Sequence, residues 1–424
     1  MRLLHVVDTL NPKKGGVSQA VKTMAEEIVK VGLTSEILTL DRIDNTYSTG
    51  AVPVTNLGSG KSPWHFNKHL IPWLLTNFSR FDTIVVHGLW LYQTYAVHKA
   101  LKIYSDKVQA GGKGDLCPAL YIMPHGMLDP YFQRTSGRKL KAIRNRIYWK
   151  FIEKKVINNA NGLLFTCREE CLLASVPFKH YMPKRELIIG LGVSEPPLSE
   201  ATCDNSLFRR FPELCDGKYM LFIGRIDQKK GLQILVNAYE KIVLELHRKK
   251  PLKQSAGYDD AISEGEEEQT GSIPKLVIAG PGQNTSYGKL IAELVKESST
   301  IKDHVIFTGM LEGAEKWAAF YGCEAFILPS HQENFGIAVV EALACSKPVL
   351  ISNQVNIWSE IKEAHAGIIA EDTSVGTYSL LRQFMALDDN QKLSMGTCAR
   401  RCYEEHFALD AATSRLINAV SYKS

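Results

Sequence analysis

"AFILPSHQENFGIAVVEALACSKPVLIS", residues 325–352, has the pattern of one complete structural unit. It opens with a short apolar run at 325–330, continues through a polar loop, and closes with a second apolar run at 347–352. Between the two runs, Gly336 to Cys345 has the composition of an apolar helix. Two short apolar runs joined by a helix are typical of a βαβ unit with parallel strands.

The same alternation extends over most of the chain. In the first half the predicted strands are residues 3–9, 35–40, 83–88, 119–126, 162–166 and 186–190. In the second half they are residues 218–224, 275–280, 304–309, 325–330, 347–352 and 366–370. Helical patterns separate many of these strands, so we predict an α/β fold with two doubly wound parallel sheets.

The length of 424 residues is too great for one ordinary core and predicts two domains of about 200 residues. We place a Rossmann-like domain at 1–195 and a second at 196–405, and we expect the helix at 406–424 to cross back onto the first. Two stretches have the composition of insertions. Residues 104–118 are predicted to be a long loop, and residues 249–272 are polar and acidic.

Composition excludes several classes of protein. The net charge of +5 is too small to indicate nucleic acid as a partner. The nine cysteines are scattered, so buried thiols are a better interpretation than a zinc site. Because we find no apolar run of about 18 residues and no signal-peptide pattern before the first strand, we expect a cytoplasmic protein.

Ligands of open parallel sheets bind beyond the carboxyl ends of the strands, which makes the following residues informative. After the first strand, Gly15–Gly16 lets the backbone approach a ligand, although a plain turn is the alternative. After the first strand of the second half, Arg225 and Lys230 suit a diphosphate, and a solvated basic loop is the alternative. The dinucleotide pattern G-x-G-x-x-G is missing here, which disfavours a nicotinamide oxidoreductase.

Two glutamates flank the start of the apolar helix. Glu341 lies among apolar residues, where a carboxylate is costly unless something binds it. Side chains of a helix tilt toward its N-terminus, so Glu341 can accept hydrogen bonds from a ribose diol. Glu333 lies in the loop and can reach sugar hydroxyls, while the N–H groups of residues 336–338 can meet a phosphate.

These motifs together carry a family resemblance. "ENFGIAVVE", with the spacing Glu-x7-Glu, "GRIDQKKG", "IAGPG" and the N-terminal "GGV" strongly resemble the retaining family 4 glycosyltransferases. That family has the GT-B architecture, in which two Rossmann-like domains face each other across a cleft. The resemblance implies that the first domain binds the acceptor and the second binds a nucleotide sugar. The usual Pro-Asn-Gly-Val linker is replaced here by "GLGV" at 190–193.

The resemblance also implies roles for individual residues. Arg225 and Lys230 would hold the diphosphate, Glu341 the ribose, and Glu333 the transferred sugar. The segment 307–311 would lie near the base. The full set of expected donor-binding residues is Gly16, Arg225, Lys230, Met310, Glu333, Asn334, Phe335, Gly336, Ile337 and Glu341.

Two histidines follow strands of the first half. The resemblance implies that His125 lies by the donor sugar, so we expect His125, Glu333, Lys230 and Arg225 to form the catalytic set. As a lone signal, His125 could equally be structural. His87 with Trp90 could shape an acceptor pocket, but core packing is the better explanation of Trp90.

The segment 137–155 combines apolar and basic residues at near-helical spacing. Its apolar residues are Leu140, Ile143, Ile147, Phe151 and Ile152. One interpretation is docking to anionic lipid headgroups, which would make the protein peripheral on the inner face of a membrane. The other is a core helix with a solvated face.

We therefore expect a retaining, metal-independent glycosyltransferase. It would move a hexose-type sugar from a UDP-sugar to a saccharide or lipid-linked saccharide, in exopolysaccharide or envelope polysaccharide assembly. No cofactor is expected, and the chain contains no Asp-x-Asp motif for a metal ion. The alternatives are a GDP- or ADP-sugar enzyme and a non-catalytic nucleotide-sugar-binding subunit.

Overall fold

The computed structural model describes residues 1–12, 15–45, 47, 49–111, 117–134, 138–197, 206–215, 218–249 and 273–421. The chain divides into two compact units. Unit 1 comprises Met1–Glu195 together with Glu404–Ser424, and unit 2 comprises Pro196–Tyr403. Each unit is built around one parallel sheet.

The sheet of unit 1 has seven strands. They are β1 (Arg2–Val7), β2 (Thr34–Thr39), β3 (Val54–Asn56), β4 (Thr83–His87), β5 (Ala119–Met123), β6 (Gly162–Phe165) and β7 (Glu186–Ile188). Their order is β3-β2-β1-β4-β5-β6-β7, and all neighbours are parallel. The order reverses direction between β1 and β4, and the loops that follow these two strands diverge at such a switch point.

The helices of unit 1 are interspersed with these strands. They are α1 (Gly16–Lys30), α2 (Leu70–Asn77), α3 (Tyr92–Gly111), α4 (Tyr131–Arg134), α5 (Lys139–Tyr148), α6 (Lys154–Asn159) and α7 (Arg168–Ala174). A π-helical turn, Trp149–Glu153, joins α5 to α6. The central strands are apolar and buried, because a parallel sheet covered on both faces has no solvated side.

The sheet of unit 2 has six strands. They are β8 (Tyr219–Ile223), β9 (Lys275–Ala279), β10 (Val305–Gly309), β11 (Ala325–Leu328), β12 (Val349–Ser352) and β13 (Gly367–Ala370). Their order is β10-β9-β8-β11-β12-β13, again parallel throughout. The first strand of this unit therefore lies beside its fourth, and a second switch point lies between β8 and β11.

The helices of unit 2 and the C-terminal helix complete the fold. They are α8 (Ser206–Arg210), α9 (Leu232–Lys249), α10 (Ser286–Glu297), α11 (Gly313–Gly322), α12 (Ile337–Ala344), α13 (Trp358–Glu363), α14 (Ser374–Met385), α15 (Asp389–Cys402) and α16 (Leu409–Ser421). The helix α16 belongs to unit 1. There Arg415 donates to the backbone oxygens of Ile189 (2.9 Å) and His406 (2.6 Å), which ties the helix to the end of β7.

All twelve predicted strands are present. Several are shorter than predicted at their carboxyl ends, as in β5, because the chain turns at His125 and Gly126 with φ angles of 53° and 78°. The short edge strand β3 was not predicted, since three half-buried residues give no periodic signal. Both sheets and their helices confirm the predicted α/β fold class.

One predicted loop is wrong. Residues 104–111 continue the helix α3, and the ring of Tyr104 packs edge-on against Phe78 with centroids 5.4 Å apart. This contact anchors the last turns of the helix to the core. Residues 112–116 of the same prediction, and nearly all of the predicted insertion at 249–272, lie outside the described residues.

The basic segment is helical, but its apolar residues do not enter the core. Leu140 is 84% exposed, Ile143 54%, Ile147 53% and Phe151 63%. The buried positions of the segment are Ala142, Asn145, Trp149 and Glu153. The interpretation of a core helix is therefore wrong for these four apolar residues, and only Ile152 packs partly against the core. Among the described residues, no helix has the length and apolarity to cross a membrane.

Candidate active site

The loops after β8 and β11 contact each other at the switch point of unit 2. The N–H of His331 donates to the carbonyl oxygen of Lys229 at 2.8 Å, and the Ser330 hydroxyl donates to the same oxygen at 3.0 Å. Gly231 has φ 70°, and a carbon atom added to it would lie 2.0 Å from the carbonyl oxygen of Pro329. Only glycine allows so close an approach, so Gly231 permits the close contact between the two loops.

Lys230 and Glu333 form an ion pair across these two loops. Both side chains are partly buried. The backbone of Glu333 is fixed as well: its N–H donates to Gln354 at 2.8 Å, and its carbonyl accepts from Asn356 at 2.9 Å. An ammonium has three N–H donors, so Lys230 can bind Glu333 and still offer donors to a phosphate.

Glu341 lies on the helix α12, whose N-cap is Gly336 in the left-handed conformation (φ 77°, ψ 66°). Lys316 of α11 donates to Oε1 of Glu341 at 2.8 Å. The same ammonium lies 4.2 Å from the ring centroid of Trp317. A carboxylate has about four acceptor positions, so the lysine orients Glu341 without using up its capacity for hydroxyl groups.

Lys316 was missed by reasoning from the sequence. It lies 25 positions before its partner, on a different helix, and no spacing rule connects the two. The buried Phe335 was predicted as a donor-binding residue, but its side chain is a packing group, so its backbone alone can serve a ligand. The N–H groups of Ile337 and its neighbours begin α12, where the first N–H groups have no partner within the helix.

Arg225 follows β8 and is exposed. Its loop is held by the motif "IAGPG": Ile226 donates to the carbonyl of Pro281 at 2.8 Å, and a carbon atom added to Gly280 would lie 2.0 Å from the oxygen of Gly224. Met310, directly after β10, is 59% exposed and available to a ligand. Within the described residues, no three His, Cys, Asp or Glu side chains are grouped so as to hold a metal ion.

At the switch point of unit 1, Gly16 begins the helix α1. Its N-cap is Gly15 (φ 123°), and no side chain caps this helix end. The preceding loop is held by Asp41, which accepts from the Thr9 hydroxyl at 2.6 Å and from the Leu10 N–H at 2.7 Å. Asp41 thus holds the chain at Thr9 and Leu10, just after β1.

His125 is one end of a chain of three histidines. Its Nε2 lies 3.0 Å from Nδ1 of His87, and Nε2 of His87 lies 2.9 Å from Nδ1 of His5. The turn beyond His125 is held by Glu170, which accepts from the Gly126 N–H at 2.5 Å. Burial lowers the pKa of His5 and of His125 to about 4, and it lowers the pKa of His87 well below its ordinary value.

His87 and Trp90 do not line an open pocket, because both are almost fully buried. Trp90 belongs to the hydrophobic core, as the preferred interpretation had it. The backbone N–H of Trp90 donates to Oε1 of Glu153 at 2.8 Å, and the Thr94 hydroxyl donates to the same carboxyl oxygen at 2.9 Å. Burial raises the pKa of Glu153 to about 7. The buried groups His5, Glu153 and Glu170 were not found from the sequence, because each contact depends on strand and helix order.

Comparisons with known proteins agree with this geometry. Residues 206–400 match the profile of the family described as "Glycosyl transferases group 1". The O-antigen chain mannosyltransferase C of Escherichia coli is 22% identical over 442 residues, covering 99% of this chain and 97% of that protein.

Two solved structures are similar over their whole length. Sucrose-phosphate synthase from Thermosynechococcus elongatus has 16% identity and a TM-score of 0.64, covering 99% of this chain and 98% of its own. Anabaena HepE in complex with UDP and glucose has 14% identity and a TM-score of 0.64, covering 100% of both chains. At this identity the likeness shows a shared fold.

The two doubly wound sheets and these structural relatives define a protein of the GT-B architecture. The match of residues 206–400 to the group 1 glycosyltransferases, together with the glycosyltransferase relatives, supports a family 4-like glycosyltransferase. The resemblance stated from the sequence motifs is thereby confirmed.

Proposed function

We propose that the protein transfers a hexose-type sugar from a UDP-sugar to a saccharide acceptor, with retention of the anomeric configuration. The observation that carries this proposal is the pairing of Lys230 with Glu333 at the switch point of unit 2. One group suits a phosphate and the other suits sugar hydroxyls. Their contact supports the proposal, because it brings a group suited to the diphosphate next to a group suited to the sugar.

The remaining residues fit around this junction. Arg225 and the N–H groups at the start of α12 would bind the diphosphate, since each can donate to phosphate oxygens. Glu341, oriented by Lys316, would accept hydrogen bonds from the two ribose hydroxyls. Met310 would contact the base. These roles follow from charge and hydrogen-bonding capacity, together with the resemblance to family 4.

The relatives support the choice of substrates. The E. coli relative is an O-antigen chain mannosyltransferase, which supports a saccharide acceptor and a role in envelope polysaccharide assembly. The Anabaena relative was crystallised with UDP, which supports uridine as the base. A GDP- or ADP-sugar enzyme and a non-catalytic nucleotide-sugar-binding subunit are the alternatives that an assay must separate.

We infer a front-face mechanism assisted by the leaving phosphate. When the sugar–oxygen bond breaks, negative charge develops on the outer phosphate. Arg225, Lys230 and the backbone N–H groups near Gly336 would stabilise that charge without a resident metal ion or other cofactor. Preorganised donors of this kind are worth about 10²–10³ in rate each.

The donor is identified first by thermal shift with UDP, GDP, ADP and their sugars. A ligand at 100 times its Kd adds about 2.7 kcal/mol to the free energy of unfolding. The preferred donor is then given to the enzyme with a saccharide acceptor, and the first product is examined by proton NMR. We expect a retained anomeric centre and equal turnover in excess EDTA. An inverted product, or activity restored only by Mg²⁺ or Mn²⁺, would contradict the mechanism.

We also propose that the basic helix docks on an anionic membrane, where a lipid-linked acceptor would be found. Leu140, Ile143 and Ile147 lie within about 60° of one another on the helix α5, at about 100° per residue. Phe151 extends this exposed stripe into the π turn. The opposite face carries Ala142 and Asn145 inward. The helix thus presents its large apolar side chains to the outside.

The charge of the helix matches such a surface. Eight cations lie between residues 138 and 155, namely Arg138, Lys139, Lys141, Arg144, Arg146, Lys150, Lys154 and Lys155. The one acidic residue of the stretch, Glu153, is buried. Each cation near an anionic membrane contributes about 1 kcal/mol, so apolar insertion and charge act together.

Vesicle co-sedimentation tests this docking. We expect binding to vesicles containing phosphatidylglycerol and much weaker binding to pure phosphatidylcholine vesicles. Leu140→Ser with Ile147→Ser should weaken binding by at least about 100-fold, because each apolar side chain inserted is worth about 1.5 kcal/mol or more. Val375→Ser with Leu393→Ser is the matched control, since both residues are similarly exposed on unit 2. Equal loss in the two double variants would contradict the assignment.

A further inference from the structure

The three-histidine chain of unit 1 lies at its switch point. His5 is in β1, His87 is the last residue of β4, and His125 follows β5. These three strands are adjacent in the sheet. The two hydrogen bonds, of 2.9 Å and 3.0 Å, therefore run from the middle of β1 to the carboxyl edge of β5.

The members of the chain differ in exposure. His5 and His87 are buried, whereas His125 is partly exposed. Nε2 of His125 is bound to His87, which makes Nδ1 the ring nitrogen that a ligand can reach. His125 also has a φ of 53°, an uncommon conformation for a residue with a side chain. The fold thus holds this ring at the sheet edge at some cost in backbone energy.

Two arrangements of protons satisfy both hydrogen bonds. Burial keeps the three rings neutral at pH 7, so each ring has one N–H and one bare nitrogen. Each link needs a donor and an acceptor, so all three protons must lie on Nδ1 or all three on Nε2. The tautomer of His5 therefore determines the tautomer of His125, two hydrogen bonds away.

The His5 end of the three-histidine chain distinguishes the two arrangements of protons. Nε2 of His5 is buried and has no hydrogen-bond partner among the described residues. A buried N–H without an acceptor is rarer in proteins than an acceptor without a donor. The favoured arrangement therefore leaves Nε2 of His5 bare and places every proton on Nδ1. In that arrangement His125 carries an N–H that faces a ligand.

We propose that His5 and His87 are positioning residues that fix His125 as the neutral Nδ1–H tautomer. The N–H of His125 then donates to an oxygen of a sugar ligand at this edge of the sheet, a role that rests on the proposed function. His87 relays the tautomer, because it accepts at Nε2 and donates at Nδ1. His5 sets it, because its Nε2 has no group to which a proton could be donated.

The tautomer is measured without any activity assay. The histidine side chains are labelled with ¹⁵N, and long-range proton–nitrogen correlation distinguishes the protonated from the bare nitrogen of each ring at pH 7. We expect His5, His87 and His125 all to carry the proton on Nδ1. A proton on Nε2 of His125, or rapid exchange between the two tautomers, would overturn the proposal even if the enzyme is active.

Two substitutions at one position give the kinetic test. His5→Asn retains an N–H donor near the place of Nδ1, whereas His5→Leu removes it and leaves His87 without a donor. We expect His5→Leu to lower kcat on the order of tenfold, the value of about one hydrogen bond, with donor KM unchanged. His5→Asn should restore most of the rate. Equal losses of kcat in the two variants, or a rise in donor KM, would show that His5 has a merely structural role.

Failure of the proposed function has a different signature. If the protein binds nucleotide sugars without transferring sugar, no variant can change kcat, but the tautomer measurement still decides the state of His125. If transfer occurs and the His125 proton lies on Nε2, the function stands and the histidine proposal fails.

Discussion

The two units have the same central strand order and very different switch points. In unit 2 the loops after β8 and β11 carry the ion pair of Lys230 with Glu333, and Glu341 nearby on α12 pairs with Lys316. In unit 1 the corresponding strands β1 and β4 carry neutral, buried histidines. The shared order provides a place for a ligand at the carboxyl edge of each sheet. The residues at that edge determine the chemistry.

The difference follows from the cost of burying charge. The four charged side chains of unit 2 remain partly exposed, so they keep some hydration and can exchange one partner for a charged ligand. The histidines of unit 1 are deeper, and burial lowers the pKa of each. Unit 2 is therefore suited to a diphosphate, and unit 1 to directional hydrogen bonds with neutral groups.

Removing one charge from unit 2 should give the largest effect. Lys230→Ala deletes the donor that we propose is aimed at the developing phosphate charge, and it also leaves Glu333 without its partner. We expect kcat to fall by about 10²–10³ in a transfer assay. Lys302→Ala, an exposed lysine before β10 at the opposite edge of the sheet, is the control and should leave the rate unchanged. A Lys230→Ala enzyme of normal rate would refute the phosphate site.

The contact between the two loops of unit 2 can be tested by stability. Gly231→Ala places a methyl group against the Pro329 carbonyl and also strains a positive φ, so we expect a loss of about 3 kcal/mol in the free energy of unfolding. Gly309→Ala has a similar φ of 74° but no atom within 4 Å, and should lose only about 1 kcal/mol. Urea titration of both variants measures the difference. Equal losses would show that the loops do not depend on this close approach.

The neutral site of unit 1 predicts a pH dependence of stability. The three histidines have folded pKa values below the usual 6.5 or so, and the unfolded chain therefore binds protons that the folded chain does not. Their contribution to the free energy of unfolding is complete above about pH 6.5 and is lost as the pH falls below that value. Glu153, with a pKa raised to about 7, opposes them by one proton between about pH 4.5 and 6.5.

The net difference of about two protons corresponds to roughly 2.7 kcal/mol per pH unit in that window. His5→Asn removes one titrating group, which should reduce this slope by about half. Urea unfolding at several pH values between 5 and 6.5 measures both slopes. A slope that does not change in the variant would mean that His5 is not held neutral by the fold.

The smallest effect is expected from a change at Met310, the residue that we propose contacts the nucleotide base. Met310 is exposed in the free protein and offers a flexible thioether for packing against a ring. Met310→Ala should weaken nucleotide binding by about three- to fivefold, with no change in kcat. Titration with UDP measures this change. A loss of a hundredfold would indicate that Met310 has a structural role.

The strands of both sheets could be predicted because each is a short, continuous apolar run between turn residues. Glu341 could be singled out from the sequence because a glutamate in apolar surroundings needs a reason, and Glu333 because it lies in the loop after a predicted strand. Their lysine partners differ: Lys230 was expected at the diphosphate, but its contact with Glu333, 103 positions away, depends on β8 lying beside β11. The local sequence pattern does not reveal which strands are neighbours in the sheet.

His5 shows the same limit. Within "LLHVV" a histidine reads as one polar interruption of a buried strand. Its role depends on β4 and β5, which bring His87 and His125 beside it. The basic helix is the opposite case, since its helical spacing was predicted correctly while the direction of its apolar face was left open. Periodicity shows that one face is apolar, but it does not show whether that face turns inward.

Calorimetric titration of the whole protein with UDP, GDP and ADP tests the central claim most directly. We predict that one nucleoside diphosphate, UDP, binds at a single site. We also predict that Glu341→Gln, which keeps the shape and loses a carboxylate oxygen, weakens that binding about tenfold, the value of one charged hydrogen bond. If none of the three nucleotides binds, or if Glu341→Gln binds as tightly as the wild type, the donor site is not at the switch point of unit 2.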